Sequence, residues 1–218
     1  MQPRFSFDNI DLHNWPRAQH FDFFSRFASP GFQLIVPLKL HGLADKAKQQ
    51  QIPFSAALLY ALQQAILDYA PMRMRLVDGK PVTFHGNHIS SVVLADDQTF
   101  RFAYLPQTDG FDAFCTMYKA AVERAKQLPF YSEDFAYNEG RADVVYVSTL
   151  PWHNFSGFRH AEFNTHNAQG IPRFVFGKQD CTQDTLPLAI DVHHGLMDGL
   201  HVHEFVQVFE QELASLSF

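Results

Sequence analysis

Cysteine, charged residues and long apolar runs are all scarce in this sequence. Its two cysteines, Cys115 and Cys181, are too few and too far apart for a disulfide framework or a thiolate zinc site. We expect both to be reduced thiols in a cytoplasmic protein, each buried as a small apolar residue. No apolar run reaches the roughly 18 residues of a membrane-spanning helix, and no basic stretch followed by an apolar run marks a secretory signal near the start.

The charge balance and the even composition narrow the class of protein further. Lys and Arg number 17 against 23 Asp and Glu, a net charge of −6, which argues against a nucleic-acid-binding surface. No Gly/Ser/Pro-rich linker, low-complexity tract or internal repeat interrupts the 218 residues. The sequence therefore predicts one domain over residues 1–218.

Aromatic rings and imidazoles are abundant instead, with 23 phenylalanines and 12 histidines. Most of the phenylalanines must form core, but so many rings also suit an aromatic-walled pocket for a flat, poorly charged ligand. Composition alone does not separate these two uses.

Periodic patterns predict an α/β fold, a two-layer sandwich in which helices cover a mixed sheet. The predicted strands are residues 32–40, 72–77, 82–84, 89–94, 99–104, 144–148, 173–176 and 188–193. Three long amphipathic helices are predicted: one with Ser55 as its N-cap, one starting near Phe111 and one starting near Leu200. Pro37 indicates an edge strand or an irregularity in the strand, and Asp78-Gly79 indicates a hairpin turn.

One segment, at the junction of the last strand and the last helix, carries the clearest chemical signal. It reads Asp191-Val-His-His-Gly-Leu-Met-Asp-Gly-Leu-His. Because neighbouring strand residues point to opposite faces, His193 and His194 cannot do the same job, and one can be structural while the other lies in a site. An imidazole titrates near pH 6.5, so a histidine held at a strand end can act as a general base.

Two other interpretations of these histidines stay open from the residues alone. A metal site would need His193, His194, His201 and His203 to converge, although neighbours on a strand and residues two apart on a helix point in different directions. Structural or merely solvated histidines need no function, and this interpretation is favoured for His201 and His203.

The segment also resembles the His-His-x-x-x-Asp-Gly signature of coenzyme A-dependent acyltransferases. The chain length matches the smallest of them, the trimeric chloramphenicol acetyltransferase type. Further stretches agree with that family in order: Trp15-Pro-Arg17-Ala-Gln-His20-Phe21, Met72-Arg73-Met74 with Asp78-Gly79, Val147-Ser148-Thr149-Leu150-Pro151-Trp152 with Asn154-Phe155, and Leu186-Pro187-Leu188. The resemblance thus extends over nearly the whole chain.

This resemblance implies roles for individual residues. His194 would take the proton from a substrate hydroxyl, and Ser148 would donate a hydrogen bond to the oxyanion formed on the acetyl carbonyl. Asp198 would pair with Arg17 and hold the loop in shape, instead of orienting the imidazole as in a triad. The acceptor pocket would include Phe24, Phe32, Tyr137 and Val175, and the coenzyme would lie against Trp152 and Lys178.

The family also implies a homotrimer with its sites between subunits, acetyl-CoA as co-substrate, no metal and no permanently bound cofactor.

The chain departs from the family at three positions. Phe24 stands in place of a tyrosine, Val175 in place of a threonine, and Gln179 in place of an aromatic residue beside Lys178. Chloramphenicol is the expected acceptor.

Two alternatives to chloramphenicol acetylation stay open. The nearer is an acyltransferase of the same fold that acts on another small hydroxyl compound, with little activity on chloramphenicol. The other, from a different class, is a non-catalytic protein that binds apolar ligands in an aromatic pocket.

Overall fold

The computed structural model describes residues 4–138, 140–161 and 170–217. The strands of this part of the chain are β1 (Phe7–Asn9), β2 (Gly31–Lys39), β3 (Met74–Val77), β4 (Lys80–Phe84), β5 (His88–Leu94), β6 (Phe100–Leu105), β7 (Val144–Thr149), β8 (Arg173–Phe176) and β9 (Thr185–His193). The helices are α1 (Ala18–Phe24), α2 (Leu43–Gln49), α3 (Phe54–Asp68), α4 (Phe111–Gln127), α5 (Glu133–Asn138) and α6 (Gly199–Ser215).

The strands form two sheets. The larger has the order β2-β9-β8-β7-β5-β6, and the smaller the order β1-β4-β3. The larger sheet is mixed, because β7 runs parallel to both β5 and β8 whereas the other neighbours are antiparallel. The mixed α/β prediction is therefore confirmed.

One face of the larger sheet is the core face. On β8 it carries Phe174 and Phe176, whose rings pack 5.7 and 6.2 Å from Phe205 and Phe209 of α6. All four side chains are buried. Truncating a buried phenylalanine typically costs about 3–5 kcal/mol, so this contact fixes α6 on the sheet. Since α6 follows β9 directly, it also fixes the segment that joins them.

The opposite face carries a line of polar side chains across all six strands. Residues opposed in register share a face, and one such set is Gln33, Asp191, Arg173, Tyr146, Ser90 and Tyr104, here called the polar row. The next register position toward the carboxyl ends of β7 and β8 holds Ser148 and Val175. The face opposite the core thus contains both polar groups and predicted site residues.

Most predicted elements are confirmed, with small shifts at their ends. Asp78 and Gly79 have φ of 50° and 74° and form the hairpin turn between β3 and β4. Within the described residues β2, with Pro37, pairs only with β9 and lies at the edge of its sheet, as predicted.

Two local predictions are wrong. Pro53, not Ser55, is the N-cap of α3, and the Ser55 hydroxyl instead lies 2.6 Å from the hydroxyl of Tyr118 on α4. Cys115 is only half-buried and Cys181 is exposed, although both are unpaired.

Among the described helices, none is long and apolar enough to span a membrane.

Candidate active site

The two adjacent histidines occupy different environments at the end of β9. His193 is the last residue of the strand, opposite Gly31 of β2, and only 6% of it is exposed. His194 begins the turn toward α6, where its backbone N–H donates to the carbonyl of Pro30 over 2.8 Å. Its side chain is half-buried. The ring of the second histidine is therefore the more exposed of the two.

Burial keeps the His193 ring neutral. Desolvation is the largest cause and the nearby His194 adds to it, so the pKa of His193 falls from 6.5 to about 4. The Nδ1 atom accepts the backbone N–H of Gly195 at 3.1 Å, which pins the tight turn after the strand. The contacts of His193 thus stabilise the turn.

The ring of His194 is oriented by a backbone carbonyl. Its Nδ1 atom lies 3.2 Å from the carbonyl oxygen of Met197. Because a carbonyl oxygen only accepts, this contact requires the proton on Nδ1, and in the neutral ring Nε2 then keeps its lone pair. That tautomer can accept a proton at Nε2.

Two phenylalanines hold the imidazole of His194. Phe24, at the end of α1, stacks on it with ring centroids 3.9 Å apart and an interplanar angle of 12°. Phe32 of β2 contacts it at 4.6 Å and 46°. The rings restrict the rotation of the imidazole and exclude water from part of its surface.

An ion pair between Arg17 and Asp198 stabilises the same turn. Arg17 Nη1 donates to Asp198 Oδ2 over 2.5 Å, and Arg17 Nη2 donates to the carbonyl of His194 over 3.0 Å. Asp198 is also the N-cap of α6, accepting the Leu200 N–H at 3.1 Å. This network joins the N-terminal segment, the turn and the last helix.

His201 is a second partner of the Asp198 carboxylate. Its Nδ1 atom lies 2.8 Å from Asp198 Oδ1 and 3.3 Å from the Asp198 backbone N–H, and one nitrogen cannot serve as donor and acceptor at once. We assign the shorter contact, in which His201 donates. Burial alone would raise the pKa of Asp198, but hydrogen bonds from His201 and Arg17 outweigh it and hold that pKa well below its ordinary value.

Ser148 lies at the far end of the same sheet. It is the fifth residue of β7, half-buried, and its hydroxyl has no hydrogen-bond partner among the described residues. Val175, its neighbour on β8, is fully buried. Ser148 can therefore donate to a ligand, whereas Val175 is shielded from one by its own chain.

The sheet register separates Ser148 from His194. The β9 residue in line with Ser148 is Ala189, four residues before His193 and two strands away. At about 3.3 Å per residue and 4.8 Å per strand, the Cα atoms of Ser148 and His193 are roughly 16 Å apart, and His194 lies one residue further along the chain. Within one chain, Ser148 and His194 cannot act on the same carbonyl carbon.

Trp152 and Lys178 lie beyond the C-terminal ends of β7 and β8, at the same end of these strands as Ser148. They follow β7 and β8, and the Lys178 N–H donates to the carbonyl of His153 over 2.8 Å, which joins the two loops. Both side chains are exposed, Trp152 by 62%. Tyr137 lies on α5, with the Arg141 guanidinium 5.4 Å from its ring centroid.

A cavity of about 640 Å³ borders the buried histidine. Its aromatic wall consists of Phe5, Phe7, Phe21, Phe27 and Phe84, and His193 lines it as well. Neither Ser148 nor His194 belongs to the lining, so this cavity by itself holds neither of the predicted reacting groups. No group of His, Cys, Asp or Glu suited to a metal occurs in the part of the chain that the structure describes.

Sequence reasoning missed two contacts of this site. His201 was favoured as structural or solvated, and its contact with Asp198 is a structural one; its position three residues into a capped helix is the signal that could have identified the partner. The Met197 carbonyl has no sequence signal, because a backbone group is available in every residue.

Comparison with known proteins identifies similar chains. The family model described as chloramphenicol acetyltransferase matches residues 5–210. A chloramphenicol acetyltransferase of Proteus mirabilis is 28% identical, with 93% of this chain and 92% of that protein covered. Chloramphenicol acetyltransferase 3 of Escherichia coli is 25% identical, covering 94% of this chain and 96% of that one.

Solved structures agree on the fold. A chloramphenicol acetyltransferase superposes with a TM-score of 0.83 at 23% identity, over 95% of this chain and 100% of that one. The cubic core of a pyruvate dehydrogenase complex gives 0.64 at 15% identity, over 91% and 86%.

Proposed function

The chain belongs to the chloramphenicol acetyltransferase family, and we propose that it transfers the acetyl group of acetyl-CoA to a hydroxyl of chloramphenicol. The observation that carries this proposal is the environment of His194. Its Nδ1 atom contacts the Met197 carbonyl, which leaves Nε2 as the acceptor in the neutral ring, and Phe24 stacks against the imidazole. A fixed imidazole of this tautomer is what a general base requires.

In the proposed reaction His194 Nε2 takes the proton of the acceptor hydroxyl while its oxygen bonds to the acetyl carbonyl carbon. The carbonyl oxygen becomes an oxyanion, to which Ser148 donates its hydrogen bond. The intermediate then expels the coenzyme A thiolate, which takes the proton back from His194. Every proton and bond is accounted for without a metal or a bound cofactor.

The distance between the two reacting groups supports a site shared between copies. Because the end of β9 that carries His194 lies roughly 16 Å from Ser148 of the same chain, the histidine of one subunit must meet the serine of a neighbour. When such head-to-tail contacts close into a ring, every subunit uses both of its contact surfaces. We propose the homotrimer that the family implies, built from single-domain subunits.

The coenzyme fits the edge that carries Ser148. Trp152 offers an exposed indole face for an aromatic base, and Lys178 an exposed ammonium group for a phosphate. Both lie beyond the strand end from which Ser148 would reach the thioester. A cytoplasmic location is also proposed, in line with the unpaired thiols of Cys115 and Cys181.

The arrangement around His194 also supports a structural role for Asp198. Its carboxylate is engaged by Arg17, His201 and the N–H of Leu200, whereas the imidazole of His194 is held by a carbonyl. A triad would need the carboxylate on the imidazole. We therefore assign Asp198 and Arg17 to holding the turn in shape.

A second acceptor is favoured by the two hydroxyl groups that this chain lacks. Phe24 and Val175 offer no hydrogen bond where the family has tyrosine and threonine, and each missing bond is worth about 0.5–1.5 kcal/mol. The alternative is an O-acetyltransferase of the same fold with a different small hydroxyl acceptor.

Thiol release from acetyl-CoA, measured with and without chloramphenicol and with a panel of other alcohols, tests both candidates. Release that depends on chloramphenicol, with an acetylated product by mass spectrometry, supports the first. Release that depends only on another alcohol supports the second. Release that no acceptor increases would contradict both.

A further inference from the structure

The polar row places a guanidinium beside the proposed acceptor pocket. Arg173 shares the face of Ser148 and Val175, and it lies directly between Asp191 of β9 and Tyr146 of β7. Residues two apart on one strand face are separated by about 7 Å. A small acceptor whose hydroxyl reacts near Ser148 therefore extends to Arg173.

The guanidinium of Arg173 forms one ion pair and one hydrogen bond with the described residues. Its Nη2 atom lies 3.6 Å from Asp191 Oδ2, too long for a hydrogen bond, and its Nη1 atom donates to the Ala161 carbonyl at 3.3 Å. Its side chain is 28% exposed. Of its five N–H groups, this is the one hydrogen bond among the described residues, so donors in a planar fork are left for a ligand.

A second polar side chain, His160, precedes the Ala161 carbonyl that Arg173 contacts. The Nε2 atom of His160 is buried and has no hydrogen-bond partner among the described residues. Burial first, and then the charge of Arg173, lower the pKa of His160 to about 4, so this ring is neutral at physiological pH. Arg173 and His160 together can bind an oxygen-rich group, with the positive charge on Arg173.

We propose that Arg173 is a specificity-determining residue that makes this site select hydroxyl acceptors carrying a carboxylate about 7 Å from the reacting hydroxyl. A guanidinium binds a planar pair of oxygens bidentately, and partial burial strengthens that contact. The nitro group of chloramphenicol has the same two-oxygen geometry without the charge, so this selectivity is compatible with the activity proposed above. The inference rests on that proposed function for its turnover assay, but not for its binding assay.

The test compares two probes of one shape, 4-(hydroxymethyl)benzoate and its neutral methyl ester. Thiol release from acetyl-CoA gives kcat/KM for each probe with the wild type, Arg173→Met, Arg173→Lys and Lys126→Met. Lys126→Met removes an exposed cation from α4, away from the polar row, and serves as the matched control. Thermal unfolding of each variant checks that its fold is intact.

We expect the wild type to prefer the carboxylate, and Arg173→Met to lower kcat/KM for it by about 10- to 100-fold while the ester changes little. Arg173→Lys should retain part of the preference, and Lys126→Met all of it. A wild type without preference, or a preference that survives in folded Arg173→Met, would overturn the inference.

Calorimetric titration of both probes onto the wild type and Arg173→Met separates this inference from the proposed function. Carboxylate binding that is lost in Arg173→Met supports the inference even if no probe is acetylated. Absent turnover with every acceptor would count against the proposed function alone. Equal binding of carboxylate and ester would overturn the selectivity of Arg173.

Discussion

Two inactive variants of this protein should restore each other when they fold together. In the proposed ring each site takes His194 from one subunit and Ser148 from the next. His194→Ala removes the base and Ser148→Ala the oxyanion donor, at costs of about 10²–10⁴ and 10²–10³ in turnover. A mixed trimer still contains one interface where an intact histidine meets an intact serine.

The size of the recovery follows from the geometry of the ring. Equal amounts of the two variants that assemble at random give about three quarters mixed trimers, each with one intact site of three, so about a quarter of the wild-type activity returns. Against a residual activity near one hundredth in the more active variant, this is a rise of about 25-fold or more.

The assay is chloramphenicol-dependent thiol release after the two variants are unfolded together in denaturant and refolded. Simple mixing of the folded variants is the first control, since intact trimers do not exchange subunits at once. Co-refolding either variant with the double variant His194→Ala, Ser148→Ala is the second, because no intact site can form. No recovery from variants that assemble normally would refute the shared site, which the sheet register supports.

Three further predictions concern the neighbourhood of the site. Asp198→Asn should lower the free energy of unfolding in urea by about 1–2 kcal/mol and slow turnover, since Arg17 loses a partly exposed charged partner. Because the pKa of Asp198 is depressed in the folded state, this loss of stability applies above about pH 4. It fades as the pH falls further. An equally stable, fully active variant would contradict it. Phe24→Tyr combined with Val175→Thr should raise kcat/KM for chloramphenicol about tenfold by restoring two hydrogen-bonding groups, and an unchanged value would count against the pocket assignment. The wild type should lose stability as the pH falls from 6.5 toward about 4, since the neutral buried ring of His193 must be protonated on unfolding, and His193→Asn should flatten that part of the urea-denaturation profile; an unaltered slope would rule out this source.

Local sequence patterns predicted the long elements of this fold. The alternation of residues 32–40 and the three- and four-residue spacing of the helices are dictated by burial of one face, which tertiary structure rarely overrides. The Asp78-Gly79 turn followed from the positive φ that its type requires at both positions.

Short elements and exact starts were less accessible. The strand Phe7–Asn9 and the helix Leu43–Gln49 are too short to show a period, and their pairing depends on distant partners. Ser55 looked like an N-cap, but the preceding Pro53 takes that position and the hydroxyl of Ser55 bonds across to Tyr118. A tertiary contact won over a local preference.

The site combines the same two levels. The junction of β9 and α6 was recognisable because a strand end, a turn and the start of a capped helix follow one another within the segment 191–201. The stacking of Phe24 on His194 and the separation of His194 from Ser148 depend on sheet register, which no single segment encodes. Register therefore supplied the argument for a shared site that the residues alone did not.

The most direct test of the account is the rate of chloramphenicol-dependent thiol release from acetyl-CoA by the wild type, His194→Ala and His203→Gln. His203 lies on the exposed side of α6 and serves as the matched control. The account predicts acetylation by the wild type, a loss of about 10²–10⁴ in His194→Ala and no loss in His203→Gln. Undiminished release by folded His194→Ala would contradict it.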